Sequence, residues 1–268
     1  MSKTRMSEAV APIRDRNITP ILGVNLDSSP NDSLLTRAWS SLKRESVKKP
    51  FFIITPNPEI VYRASNNKKY RHVLNQADLA VPDGVGLGWA LRFCNKKSQV
   101  VPGRLFVLKM VEDCVKNRQK VFLLGGESGV AEMAAKKLRV NYKSLIIDFD
   151  SGFWLNTDGE PISDLDYKKE KLILKKINKF GPALLVVCFG PPKQEYWIYK
   201  NLGKLRVNVV IGAGGTLDYL AGIKPLPPKI FEVLGFEWVW RLITQPYRAP
   251  RIFTAVVLFP LKFLLSKK

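Results

Sequence analysis

The feature that most constrains this chain is an alternation. Short runs of β-branched and aromatic residues recur along it, and most of them end in Gly, Pro, Asp or Asn. The runs are residues 21–27, 51–55, 79–81, 120–124, 145–149, 183–189 and 207–211. Runs bounded by such turn residues read as strands. Between them, residues 31–44, 106–117, 128–140, 167–180 and 193–202 read as helices, with Asn31 or Asp32 as the cap of the first. The strand runs are mostly apolar at successive positions, so both faces of their sheet must be covered. The pattern predicts an α/β fold with a mostly parallel sheet and helices on both faces.

The last part of the chain differs. Residues 223–268 open with Pro225, Pro227 and Pro228, carry Trp238 and Trp240, and hold eight Lys or Arg against two Glu, a surplus of +6. Residues 1–222 therefore read as the core and 223–268 as a basic helical appendage. Within the appendage, residues 252–261 are apolar and lysines follow them. That run is too short to span a bilayer and suits a segment lying in the membrane interface. Its other reading is a terminal helix docked on the core.

Composition narrows the chemistry. Hydrophobic residues are 46% and charged residues 25% of the 268, which excludes a disordered chain. Three cysteines, Cys94, Cys114 and Cys188, make no disulfide framework and point to a reducing compartment. The single histidine, His72, rules out a two-histidine zinc site, disfavours a Ser-His-Asp triad, and reads as a surface residue in a basic stretch. No His, Cys and Asp cluster has metal-ligand spacing, so no metal is expected. Residues 1–18 lack the apolar run of a signal peptide. The 43 Lys and Arg against 23 Asp and Glu give +20, which calls for an anionic partner: nucleic acid, an anionic membrane face or a phosphorylated substrate.

In an open parallel sheet, ligands bind beyond the carboxyl ends of the strands. The turns at those ends supply the candidate residues. Thr55 and Asn57, set around Pro56, present short polar groups to a sugar or serve as turn and capping residues. Asp83, between Pro82 and Gly84, reads equally as a general base or as a helix cap. Gly125 and Gly126 open a glycine-rich turn (125–129) suited to a nucleotide diphosphate or to an ordinary tight turn, with neither dinucleotide nor P-loop spacing. Residues 212–215 carry the same ambiguity. Gln194 follows a Gly-Pro-Pro helix start and points to the site, while Glu195 suits the helix dipole.

Taken together these turns resemble one family. Thr-Pro-Asn-Pro-Glu (55–59), Ala-Asp-Leu-Ala-Val-Pro-Asp-Gly-Val-Gly (77–86), Val-Phe-Leu-Leu-Gly-Gly (121–126), Phe-Gly-Pro-Pro-Lys-Gln-Glu-Tyr-Trp-Ile (189–198), Gly-Ala-Gly-Gly-Thr-Leu-Asp-Tyr-Leu-Ala-Gly (212–222) and Glu-Trp-Val-Trp-Arg-Leu-Ile-Thr-Gln-Pro-Tyr-Arg (237–248) resemble, in order, the WecG/TagA/CpsF glycosyltransferases. The resemblance implies a Rossmann-like fold and a metal-independent, cofactor-free, inverting transfer. The sugar, of N-acetylmannosamine type, would pass from a UDP-sugar to a polyprenyl-diphosphate-linked sugar at the cytoplasmic face of the membrane. It implies Asp83 as base, Thr55, Asn57 and Gln194 near the substrate, and Arg241, Arg248 and Arg251 as a lid over the diphosphate. One turn departs from the pattern. Where the family usually has Arg-Val-x-Gly-x-Asp, this chain has Val100-Val101-Pro102-Gly103-Arg104-Leu105, and Arg104 is the candidate for the missing guanidinium.

Two other classes compete. A nicotinamide-dependent oxidoreductase would use the Gly125 turn, but its glycine spacing is not that of a dinucleotide fingerprint. A nucleic-acid binder would use the +20 surface, but no recognised binding motif is present.

Overall fold

The computed structural model describes residues 17–44, 48–96 and 100–267. In chain order the strands are β1 (Ile18–Ile21), β2 (Val24–Asp27), β3 (Phe51–Ile54), β4 (Leu79–Ala80), β5 (Lys120–Gly125), β6 (Ile146–Asp150), β7 (Leu184–Cys188) and β8 (Val209–Gly212). The helices are α1 (Asn31–Leu42), α2 (Pro58–Ser65), α3 (Lys68–Leu74), α4 (Val85–Phe93), α5 (Gly103–Lys116), α6 (Val130–Asn141), α7 (Asp164–Phe180), α8 (Lys193–Asn201) and α9 (Thr216–Leu220). The appendage adds α10 (Lys229–Val233), α11 (Glu237–Thr244), α12 (Ala249–Phe253) and α13 (Phe259–Leu265).

Strands β3 to β8 form one parallel sheet in the order β4-β3-β8-β7-β5-β6. The apolar strand runs have the consequence expected of them. Phe51 and Ile53 of β3 join a core with α1, α5, α6 and α9, while Phe52 and Ile54 join a second core with α2, α3, α4 and α8. Alternate side chains of one strand thus feed two cores.

Two sequence expectations are corrected. Residues 21–27 are not one strand. The chain reverses at Leu22 and Gly23, both at positive φ, so β1 and β2 pair as a separate antiparallel hairpin. Two consecutive left-handed residues make the turn that matches strand twist. The first helix begins after Pro30, with neither Asn31 nor Asp32 as its cap. His72 is exposed, its ring edge-on to Tyr199.

The appendage is packed, not loose. Phe259 and Phe263 are fully buried in the core shared with α2 and α4. Phe263 meets Trp89 and Phe93 edge-on, each at 5.5 Å between ring centroids. Meanwhile Phe253 and Leu261 of the apolar run, and Leu264 and Leu265 just after it, are exposed. The run therefore divides between a face docked on the core and a face left in solvent. Replacing Phe263 by Ala should destabilise the fold by about 3–5 kcal/mol, read by denaturant unfolding. A loss below 1 kcal/mol would mean that α13 contributes little to the core. Among the described residues, no helix is long and apolar enough to cross a membrane.

Candidate active site

The sheet order builds the site. β8, the last strand, lies beside β3, the first strand of the sheet, so Thr55 meets residues 157 positions away: its hydroxyl donates to the Gly212 carbonyl at 3.2 Å. A cleft of about 970 Å³ runs along the carboxyl ends of the strands, with the appendage over one side. Thr55, Asn57, Asp83, Arg104, Gly126, Gln194, Arg241, Arg248 and Arg251 all line it. Of the sequence candidates only Gly125 is off the wall. At φ +101, its missing Cβ would stand 2.9 Å from the Cys188 backbone, so strand packing requires glycine there. The Gly126 N–H is also engaged, donating to the Cys188 carbonyl at 3.1 Å.

Asp83 is placed by three neighbours. Its own N–H donates to the Pro56 carbonyl at 2.9 Å, which ties the end of β4 to the 55–58 turn. The cap of α4 is Gly84, at φ +86, so Asp83 is not a helix cap. Gly103 opens α5 directly against the site: a Cβ there would lie 3.0 Å from the Thr55 hydroxyl and 3.3 Å from Asp83 Oδ2. Glycine thus lets the Gly103 N–H reach the Asp83 carboxylate. Burial pushes the Asp83 carboxyl above its ordinary value, against the pull of Arg241, the Gly103 N–H and Arg104, and with a further push from Glu237.

The arginines differ in their engagements. Arg241 reaches Glu237 at 3.4 Å and also Tyr219; burial alone would lower its pKa, but Tyr219, Asp83 and Glu237 raise it overall. Arg251 places Nε 2.9 and 3.0 Å from the two carboxylate oxygens of Glu59, a buried residue at the start of α2 that also pairs with Arg63. Arg248 stands over the Gly215 turn, and its buried Nε has no hydrogen-bond partner. Arg104 is buried and pairs with Glu232, and with Glu237 at 3.5 Å. It fastens α5 to the appendage, and its Nε alone has no partner.

Asn57 both caps α2, accepting from the Ile60 N–H at 2.9 Å, and faces the cleft. Gln194 is buried. Its Oε1 accepts from the N–H of Gly190 at 3.2 Å and of Gly214 at 2.9 Å, and its Nε2 donates to Glu195 at 2.7 Å. It braces the turns after β7 and β8 against each other. Glu195 stands in the first turn of α8, as the dipole reading expects, and is buried between Gln194 and the Tyr70 hydroxyl, 3.1 Å away. Burial raises its pKa. Burial also pushes the thiol of Cys188, on the cleft wall, up to about 12, so it stays a neutral thiol at pH 7. Among the described residues, no group of three His, Cys, Asp or Glu is placed to hold a metal ion.

Sequence reading missed Glu59, Tyr219, Glu232 and Glu237. Glu59 stands inside the quoted Thr-Pro-Asn-Pro-Glu motif, but the partner that gives it a role, Arg251, is 192 residues away.

A carboxylate at one strand end and arginines folded over the same cleft thus meet at the carboxyl edge of an α/β fold. The comparisons make this specific. The sequence profile described as "Glycosyl transferase WecG/TagA/CpsF family" matches residues 19–268, and the chain belongs to that family of glycosyltransferases. It is similar to proteins named N-acetylglucosaminyldiphosphoundecaprenol N-acetyl-beta-D-mannosaminyltransferase from Staphylococcus aureus strains NCTC 8325 / PS 47, COL and MRSA252. Each is 30% identical over 252 residues, covering 92% of this chain and 92% of the relative.

Proposed function

We propose that this chain moves an N-acetylmannosamine-type sugar from a UDP-sugar to a polyprenyl-diphosphate-linked N-acetylglucosamine in the synthesis of a wall or surface polymer, with inversion at the anomeric carbon. The observation that carries this reading is the meeting of Asp83 with Arg241, and of both with Arg248 and Arg251, in one cleft. The names of the S. aureus relatives supply the sugar and the acceptor.

Asp83 takes the proton from the acceptor hydroxyl as its oxygen bonds to the anomeric carbon. The bond from that carbon to the diphosphate oxygen breaks on the opposite face, and UDP leaves with the electron pair. Arg241, Arg248 and Arg251 meet the charge that develops on the diphosphate, with guanidinium forks suited to its oxygens. Thr55 and Asn57 lie beside the sugar, and Gln194 and Gly126 shape the floor under the donor. Arg104, tied to Glu232 and Glu237, keeps the appendage seated over Asp83. Residues 1–222 supply the catalytic core. Residues 223–268 supply the lid, and their exposed apolar residues and lysines rest on the cytoplasmic face of the membrane, where the lipid-linked acceptor lies.

The test is UDP release by full-length protein over a panel of UDP-sugars, with a short-chain prenyl-diphosphate N-acetylglucosamine acceptor, with and without EDTA. Release that requires the acceptor, favours UDP-N-acetylmannosamine and survives EDTA is expected. Silence across the panel from folded protein would remove this reading.

A further inference from the structure

The cleft extends beyond the residues used so far, to the far edge of the sheet. There the loop after β6 places Phe153, Trp154 and Leu155 in succession, and their exposures are 8%, 70% and 5%. Neighbouring residues of an extended segment face opposite sides. Phe153 packs inward on Phe189 and Trp197, at centroid distances of 5.4 and 6.3 Å. Its anchoring turns the Trp154 indole outward, onto the cleft wall.

The backbone that carries the indole is braced. The Trp154 main-chain N–H donates to Asp166 at 3.1 Å, and its main-chain carbonyl accepts from the Ile162 N–H at 3.3 Å. Asp166 is itself fixed by the Ser163 hydroxyl at 2.6 Å. A large aromatic face that is mostly exposed, yet carried on a braced loop at the rim of a cleft, is suited to stacking on a flat ring. Ser151 and Lys169 line the same cleft.

The sheet order says which ring. In the function proposed above, Arg248, which stands over the turn after β8, meets the diphosphate. From β8 to β6 there are three strand spacings, about 14 Å. Asp83 lies the other way, at the end of β4, two spacings from β8 and about 10 Å off. The apolar α13 packs on that same side, against α2 and α4. The lipid-linked acceptor therefore has its place at the β4 end, and the β6 end is left to the nucleoside.

We infer that Trp154 forms the nucleobase platform of the donor site, stacking on the uracil of the UDP-sugar. This rests on the UDP-sugar reading proposed above. The ligand follows the sheet in strand order: acceptor at β4, diphosphate at β8, base at β6.

The experiment is calorimetric titration of full-length protein with UDP and, separately, with inorganic pyrophosphate. Trp154→Ala is expected to weaken UDP binding by roughly ten- to a hundredfold, the usual effect of losing a base-stacking side chain, and to leave pyrophosphate binding unchanged. Trp154→Phe, which keeps an aromatic face, is expected to retain most of the UDP affinity. The indole is on the surface, so both variants should fold, which matching unfolding curves would verify. UDP affinity unchanged in Trp154→Ala overturns the inference. So does an equal loss of UDP and pyrophosphate, because a stacking face acts on the base alone. A rise confined to the KM for the prenyl-linked acceptor also overturns it and gives the indole to the acceptor. Native protein that binds neither UDP nor pyrophosphate is a different result: it removes the donor reading itself, and this inference with it.

Discussion

Asp83→Asn is expected to reduce kcat by about 10²- to 10⁴-fold, the range for loss of a positioned general base. The fold should remain, because Asn keeps the shape and can still accept from the Gly103 N–H. Stability gives a second readout with a definite sign. The Asp83 carboxyl has a raised pKa in the folded state, mainly through burial. A raised carboxylate destabilises the fold once it ionises, so native stability falls as pH rises past the unfolded value toward the folded one. Asn carries no such penalty. The variant's Tm should match the native protein's in acid and exceed it near neutrality. The pH profile gives a third. The acid limb of kcat/KM should lie above the ordinary aspartate range, and Arg241→Gln, which removes the cation that lowers the Asp83 pKa, should move it higher still. Native turnover in Asp83→Asn would remove Asp83 from the role of base.

The second large effect belongs to Arg248. Its buried Nε lacks a partner, unlike Arg251, which Glu59 clamps. An uncommitted guanidinium over the Gly215 turn is the group best placed to meet a diphosphate. Arg248→Gln is expected to lower kcat by about 10²- to 10³-fold, as for loss of one preorganised stabilising donor, and to weaken UDP binding in a product titration. Arg248→Lys should recover only part of this, since an ammonium is a point charge without the planar fork. Arg251→Ala is a less clean probe, because it leaves the buried Glu59 carboxylate with Arg63 as its cation and so affects stability as well. If Arg248→Gln turns over at the native rate, the leaving group is stabilised elsewhere.

The local signals were legible where chemistry is local. Asn57 stands two residues after Thr55 and directly before a proline, and a cap of that kind needs only its own helix. Gly84 and Gly103 are different cases. Both are visible as glycines, but that Gly103 exists to admit Asp83 and Thr55 appears only when α5 is set beside the end of β4. The glycine-rich turn at 125–129 was legible only in part, for the complementary reason: composition reports that the backbone can approach closely, not what it approaches. For Gly125 that neighbour is the adjacent strand. The two positions of the hairpin turn, Leu22 and Gly23, were likewise hidden in a run that reads as one strand, because a leucine at positive φ carries no turn signal.

What the sequence by itself determined is the layered α/β architecture, since mostly apolar strands between amphipathic stretches can be buried only with cover on both faces. Its turn motifs also carried the likeness to the family, whose profile matches residues 19–268. The tertiary structure alone decided how those turns combine. Placing β8 beside β3 joins Thr55 to Gly212, and folding the appendage back brings Arg241 to Asp83 and Arg251 to Glu59. Those pairings depend on strand order and on burial of Phe259 and Phe263, which are properties of the packed whole. No spacing along the chain encodes them, because residues more than 150 positions apart become neighbours only when both cores close.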